Sequence, residues 1–246
     1  MPQSMPCQPD LIFDLGANRG EDTEFYLDKG FRVMAVEANP LLARDLARRL
    51  AAPIAAGRLV LLNVGVWSEP GEVLFYVNQD NDHWSSFDPA YGTRQGSRHS
   101  TLAVPCRTLP ELVAEHGLPH YLKVDIEGAD RFALAQLPLL PGLPDWVSVE
   151  EYGVAAIDDL AAAGYRRFQW QPQNDKSWAE PPLPPREGSY AARVFTGRDS
   201  GLFGAELPGK WLDAAATRAG FLAAIRRETG EYVGPPNEWW DIHAAR

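Results

Sequence analysis

The sequence predicts one doubly wound α/β domain built on a mostly parallel sheet. Short apolar runs alternate with segments of helical length, strand, helix, strand, helix, strand, at a pace that calls for right-handed crossovers. The first run, residues 11–16 (LIFDLG), ends on a glycine that leads straight into a helix, as it does in nucleotide-binding α/β folds. A chain of 246 residues suits one such core and is short for two. We expect a single domain over 1–246, with a core at about 10–196 and a C-terminal extension at 197–246.

Residues 20–30 (GEDTEFYLDKG) read as the first helix, with acids in the first turn and Gly30 as its stop. Residues 31–40 (FRVMAVEANP) form a second buried strand, and Pro40 opens the helix LLARDLARRLAA. Residues 58–67 (RLVLLNVGVW) make a third strand, and SEPG turns the chain into an added strand, VLFYV. The polar, glycine-rich stretch from Asn78 to Thr101 reads as a long loop over a site. A short helix (LPELVAEHG) precedes the fourth core strand at 120–128 (HYLKVDIEG), and WVSVEEY is the fifth. AAIDDLAAAG is a helix, and YRRFQWQ and SYAARVF are late strands flanking a proline-rich excursion at 171–188. The tail carries a helix near 211–228 and ends in EWWDIHAAR.

Against 33 acidic residues stand 23 basic ones, a net charge of −10, which repels a phosphate backbone. Arg44, Arg48 and Arg49 fit the solvated face of a helix, so nucleic acid is not an expected partner. No apolar stretch is long enough for a membrane span. The first ten residues show neither a basic patch nor an apolar run, so no secretory leader is expected. Cys7 and Cys106 have no zinc or redox spacing, which points to a reduced, cytoplasmic setting.

The turn Asp14-Leu15-Gly16-Ala17-Asn18-Arg19-Gly20 carries the chemistry. A dinucleotide fingerprint would place its second glycine where Asn18 stands, and a phosphate-cradling loop would need Gly-Lys-Ser/Thr. Instead an acid precedes the first glycine. S-adenosylmethionine has no phosphate and brings a sulfonium, an ammonium and one carboxylate. Strand-end oxygens suit its cations, and the amides at the helix start, with Thr23 or Arg19, suit its carboxylate. Glu37 ends the second strand, 21 residues after Gly16, where an acid accepts hydrogen bonds from a ribose diol. The expected donor site is therefore Asp14, Gly16, Gly20, Thr23 and Glu37, with Ala17, Asn18, Ala38, Asn63 and Val64 beside them at the same three strand ends.

FDLGANRGEDTEFYLDKG with VEANP resembles the first two motifs of class I methyltransferases. YLKVDIEGAD is similar to the K-x-D-x-E-G-x-E signature of the FkbM family, with weaker echoes in LLNVGVWSEPGEVLFYV, VPCRTLPEL, WVSVEEYG and the WWDIHA tail. The resemblance implies a Rossmann-like class I methyltransferase fold, S-adenosyl-L-methionine as donor, and O-methylation of a small-molecule acceptor such as a sugar or natural product. Two departures, Pro110 and the shorter acid Asp130, bear on the acceptor side.

Strand alternation puts Lys123, Asp125 and Glu127 on one face, at the sheet edge where ligands bind, with Glu150 and Glu151 ending the next strand nearby. Asp125 is the leading candidate to orient or deprotonate an acceptor hydroxyl, with Glu127 beside it. No metal ligand is assigned. A divalent ion on Asp125, Glu127 and Glu150 is the less favoured alternative. His83 in the long loop and His243 beside Asp241 are reserve bases, and His116 and His120 receive no chemistry. The rival readings are an NAD(P)-dependent oxidoreductase or epimerase, which lacks its second glycine here, and a binding module using Trp239 and Trp240.

Overall fold

A computed structural model describes residues 5–246. The first half runs β1 (Gln8–Leu15), α1 (Glu21–Asp28), β2 (Arg32–Val36), α2 (Pro40–Arg49), α3 (Ala51–Ala55) and β3 (Leu59–Leu62). The chain then forms β4 (Gly65–Val66), β5 (Gly71–Asn78), α4 (Pro89–Gly92) and β6 (His99–Arg107). It returns through α5 (Leu109–His116), β7 (Pro119–Val124), α6 (Asp130–Leu134), β8 (Trp146–Glu150), α7 (Ala155–Ala163) and β9 (Arg167–Pro172). The last elements are α8 (Ala214–Ala224) and β10 (Trp240–Ala245).

Seven strands make the main sheet in the order β3-β2-β1-β7-β8-β10-β9. All its pairings are parallel except those of β10, which runs antiparallel to both neighbours. The chain winds outward from β1 through β2 to β3, then returns to β7 on the other side of β1. The carboxyl ends of β1 and β7 therefore flank the switch point at which open α/β sheets bind ligands.

Burial on both faces follows from the alternation along β1. Leu11, Phe13 and Leu15 join one apolar cluster with Leu122, Val124 and the inner faces of α5 and α7. Ile12 joins the other, with Tyr26, Tyr121 and Phe203. Asp14 shares the face of Ile12, and its register partner on β7 is Lys123. Two charged groups thus lie side by side beneath α1. Caps set the helix starts: Asn39 accepts from the Leu41 amide at α2, and Thr108 with Glu111 forms a capping box at α5.

Four features depart from the sequence reading. The third strand splits after Leu62, and Gly65–Val66 pairs with β6 in a separate three-stranded sheet, β4-β6-β5. The expected 78–101 loop is partly regular structure: it holds α4, and from His99 the chain pairs antiparallel along the whole of β5. SYAARVF is not a strand. Its place in the sheet is taken by WDIHAA, which inserts between β8 and β9, so the split into core and extension at residue 197 does not describe the sheet. The physical reason is burial. Ile242, Ala244 and Ala245 are fully covered, whereas Val194 is 91% exposed and cannot serve a central strand.

Candidate active site

The turn after β1 is shaped by backbone geometry before any ligand is considered. Gly16 has φ 88°, and a Cβ there would fall 1.7 Å from the carbonyl oxygen of Asp125. Glycine is required because the ends of β1 and β7 touch at this point, a different reason from the cofactor approach inferred from sequence. Asn18 follows at φ 48°, and its amide donates to Glu37 Oε2 at 2.7 Å. The second Glu37 oxygen accepts from the Asn39 amide at 2.7 Å, so the carboxylate is pinned between two strand ends. Burial, only partly offset by those amides, raises the Glu37 pKa to about 7.

Gly16, Asn18, Glu37, Ala38 and Val64 line a cleft of about 560 Å³, closed on its far side by Phe75 of β5 and Phe87 of the loop before α4. Five of the ten expected donor residues therefore face one cavity. The other five do not, and each has a structural task. Asp14 is fully buried and accepts from Thr23 Oγ1 at 2.5 Å, which ties β1 to α1 from below. Ala17 packs in the core, and a Cβ on Gly20 would meet Leu46 of α2. Asn63 donates to the carbonyls of Glu37 and Ala38 at 2.8 and 3.2 Å, fixing the β2 end from behind. The sequence did not show which members of the turn point inward.

Lys123 is 3% exposed and stands among three acids, 3.3 Å from Asp125, 3.4 Å from Asp14 and 3.5 Å from Asp22. Burial works against its charge, but Asp125, Asp14 and Asp22 outweigh it and hold the ammonium well above its ordinary range. One cation does not neutralise three carboxylates. Burial and Asp14 bring the Asp22 pKa up to about 6 despite Lys123. Asp22 also accepts from the Ser200 amide at 2.9 Å, so this network anchors the segment that follows the proline-rich excursion.

β7 ends at Val124, so Asp125 and Glu127 are gathered by a turn rather than by strand alternation. Glu127 has φ 50°, and Asp130 closes the turn by accepting from the amides of Ile126 and Gly128 at 3.0 and 2.9 Å. Arg94, from the loop above and lying over the Trp84 ring, donates to Glu127 at 2.9 Å. Glu150 joins them from β8, whereas Glu151 turns away to bind Arg226. A second cleft, of about 970 Å³, is bordered by Trp84, Arg94, Glu150, Ser200, Trp239 and Asp241. His83, Asp125 and Glu127 line both clefts and form the seam between them.

Of the two reserve histidines only His83 reaches this seam. His243 is 2% exposed with its pKa lowered to about 3 by burial, and it borders neither cleft. His120 bridges Asp145 and Glu187, at 2.8 and 2.9 Å, near the opposite end of β7. Sequence reasoning missed Asp241 as a cleft residue, because the tail was not assigned to the sheet. It also missed Arg94, which nothing in its local sequence distinguishes.

Two acids of the second cleft predict an unusual stability profile. Burial is the largest cause for each: with Asp125 it raises Glu127 to about 8, and it raises Asp241 to about 7. Unfolded, such carboxyls titrate near pH 4, so the folded chain holds more protons, and stability falls as pH rises through about 7–8. His243 opposes this only below its ordinary 6.5. We expect Tm to fall by several degrees between about pH 6.5 and about pH 8.5, and Glu127→Gln to flatten part of that slope. Thermal melts of both proteins across this range check it; a rising Tm would contradict it.

A model described as the Methyltransferase FkbM domain matches residues 14–166, from the acid before the first turn to the end of α7 and just beyond. The chain belongs to the FkbM methyltransferase family. The sheet order, with β10 alone antiparallel, is the Rossmann-like class I methyltransferase fold that this membership entails.

Solved structures similar to this FkbM chain include the methyltransferase FkbM of Methylobacillus flagellatus KT, at 19% identity and TM-score 0.38, over 58% of this chain and 33% of that one. The chain thus spans about a third of that protein. A precorrin-6y C5,15-methyltransferase from Geobacter metallireducens GS-15 aligns at 9% identity and TM-score 0.42, over 98% and 82%. The 1,6-didemethyltoxoflavin-N1-methyltransferase of Burkholderia thailandensis, with bound 1,6-didemethyltoxoflavin and S-adenosylhomocysteine, aligns at 13% and 0.40, over 97% and 72%. No curated protein matches the chain. Among the described residues no helix is long and apolar enough to cross a membrane.

Proposed function

We propose that this chain is an S-adenosylmethionine-dependent methyltransferase that methylates a hydroxyl of a small molecule such as a sugar or natural product. The observation that carries the reading is the pair of clefts meeting at Asp125, Glu127 and His83. One cleft has the features of a nucleoside site and the other has room for an acceptor.

The residues present fit the donor. Glu37 offers a carboxylate whose two oxygens are each fixed by one backbone amide, leaving lone pairs for a ribose diol. Gly16, Asn18, Ala38 and Val64 would hold the remainder, and Phe75 and Phe87 give an apolar wall. The Asp125 carboxylate, where this cleft meets the second, suits a positively charged sulfonium. When bound, S-adenosylmethionine supplies a methyl group on that sulfonium.

The chain's own work is then to orient the acceptor and take its proton. Asp125 is 3.3 Å from Lys123 through one oxygen and lines both clefts, where its carboxylate would accept the proton of an acceptor hydroxyl as the hydroxyl oxygen gains the methyl. Arg94 and Trp84 cover the seam from the loop side, which helps to exclude water. The second cleft, with Trp84 and Trp239 at its walls, would take the rest of the acceptor.

Glu37→Ala should weaken S-adenosylhomocysteine binding by about 1–3 kcal/mol, the range for a lost charged hydrogen-bond partner. Calorimetric titration of wild type and variant measures it. Unchanged affinity would remove Glu37 from the donor site and, with it, the strongest support for the reading.

A further inference from the structure

The connection between β5 and β6 reaches over both clefts with the tip formed by residues 81–85. Asp82, His83 and Ser85 line the first cleft, and Asn81, His83 and Trp84 border the second. Both ends of this tip are fixed to β5. On one side Oδ1 of the buried Asn78 accepts from the Asp80 and Asn81 amides, at 3.0 and 2.9 Å. On the other, Ser86 exchanges two backbone hydrogen bonds with Tyr76, at 2.8 and 3.0 Å. Within the tip the His83 and Trp84 amides donate to Asn81 and the Ser85 amide to Asp82, which makes a compact turn able to move as a unit.

Across the first cleft the tip is held by one pair of side chains. Arg19 Nε donates to Asp82 Oδ2 at 2.5 Å. Among the described residues no other hydrogen bond or ion pair joins residues 81–85 to the large sheet or to the turns at its strand ends. Trp84 lies against the Arg94 guanidinium, but Arg94 belongs to the same connection. Arg19 is itself anchored: it follows Asn18, which lines the cleft, and its carbonyl accepts from Arg49 of α2. The pair thus ties one wall of the cleft to the other. We propose that Arg19 and Asp82 latch the 81–85 tip over the first cleft, and that the tip lifts for a nucleoside donor to enter or leave. That the ligand is the donor rests on the methyl-transfer reading, whereas the latch does not.

The strength of the pair suits a gate. The Arg19 side chain is 50% exposed and that of Asp82 23%, so water and salt weaken the attraction and the contact can break without unfolding its surroundings. The same contact closes the tip over an empty or a filled cleft. Its loss therefore speeds entry and exit alike and leaves equilibrium affinity unchanged. Direct binding of the donor carboxylate by Arg19 has the opposite signature: Arg19→Ala weakens binding, and Asp82→Asn, by freeing Arg19, tightens it.

Stopped-flow binding of S-adenosylhomocysteine to the full chain reads both rates. We expect Arg19→Ala and Asp82→Asn each to raise association and dissociation about two- to fivefold at low salt, the size an exposed pair allows. The dissociation constant should stay within about twofold of wild type, and the double variant should be no faster than either single one. High salt should bring the wild type to the variants' rates. Without ligand, amide hydrogen exchange at 81–85 should be faster in both variants. Unchanged rates overturn the latch, and so does weaker binding in Arg19→Ala beside tighter binding in Asp82→Asn. A wild type that takes up no S-adenosylhomocysteine sinks the donor reading, and exchange then decides the latch: faster exchange of the tip in both variants upholds it, and unchanged exchange overturns it.

Discussion

Gly16→Ala is expected to abolish measurable S-adenosylhomocysteine binding and to lower Tm by about 5–10 °C. The added Cβ would sit 1.7 Å from the Asp125 carbonyl oxygen and 2.8 Å from its carbon, and both of these are backbone atoms. Neither can yield unless the end of β1 or the turn after β7 moves. The residue must also hold φ 88°, which costs a non-glycine residue about 1–3 kcal/mol before the overlap is counted. For a chain of this size each kcal/mol is worth about 2–4 °C. Because the same turn places Asn18 against Glu37, a displaced β1 end also unpins the carboxylate. Binding within threefold of wild type together with an unchanged Tm would show that the two strand ends do not meet as described.

Asp125→Asn should lower turnover by about 10²–10⁴, the span for loss of a general base, on any acceptor the wild type methylates. Donor affinity should stay within a few fold. The substitution is nearly isosteric, and Lys123 retains Asp14 and Asp22 as partners. Single-turnover kinetics beside an S-adenosylhomocysteine titration read both quantities. Normal turnover would make Asp125 a structural partner of Lys123 and move the proton acceptor to His83, the histidine at the seam.

The parallel half of the sheet was legible in the sequence because its strands are continuous apolar runs and its turns are marked by Gly16 and Pro40. Local pattern could not locate β10. WDIHAA mixes polar and apolar residues, and its burial depends on β8 and β9, about 90 and 70 residues earlier in the chain. The same limit hid Asp241 from the site. β6 escaped notice because its first residues are exposed and polar and its partner is β5, across a connection that itself folds into short helices.

Within the site, alternation put Asp125 and Glu127 together for the wrong reason, since the strand stops at Val124 and the left-handed Glu127 does the gathering. Asp14 and Thr23 belong to the same motif as Gly16 but lie one layer beneath the cleft. A strand end shows which residues are near a ligand, and only the neighbouring strand's register shows which of them are covered.

The central claim, that the cleft at the end of β1 is a methyl-donor site, is tested most directly by equilibrium titration of the full chain with S-adenosylhomocysteine and, separately, with NAD. Saturable binding of one S-adenosylhomocysteine per chain is expected, and none of NAD, whose pyrophosphate would meet Asn18 where a dinucleotide turn has glycine. Binding of NAD without S-adenosylhomocysteine would contradict it.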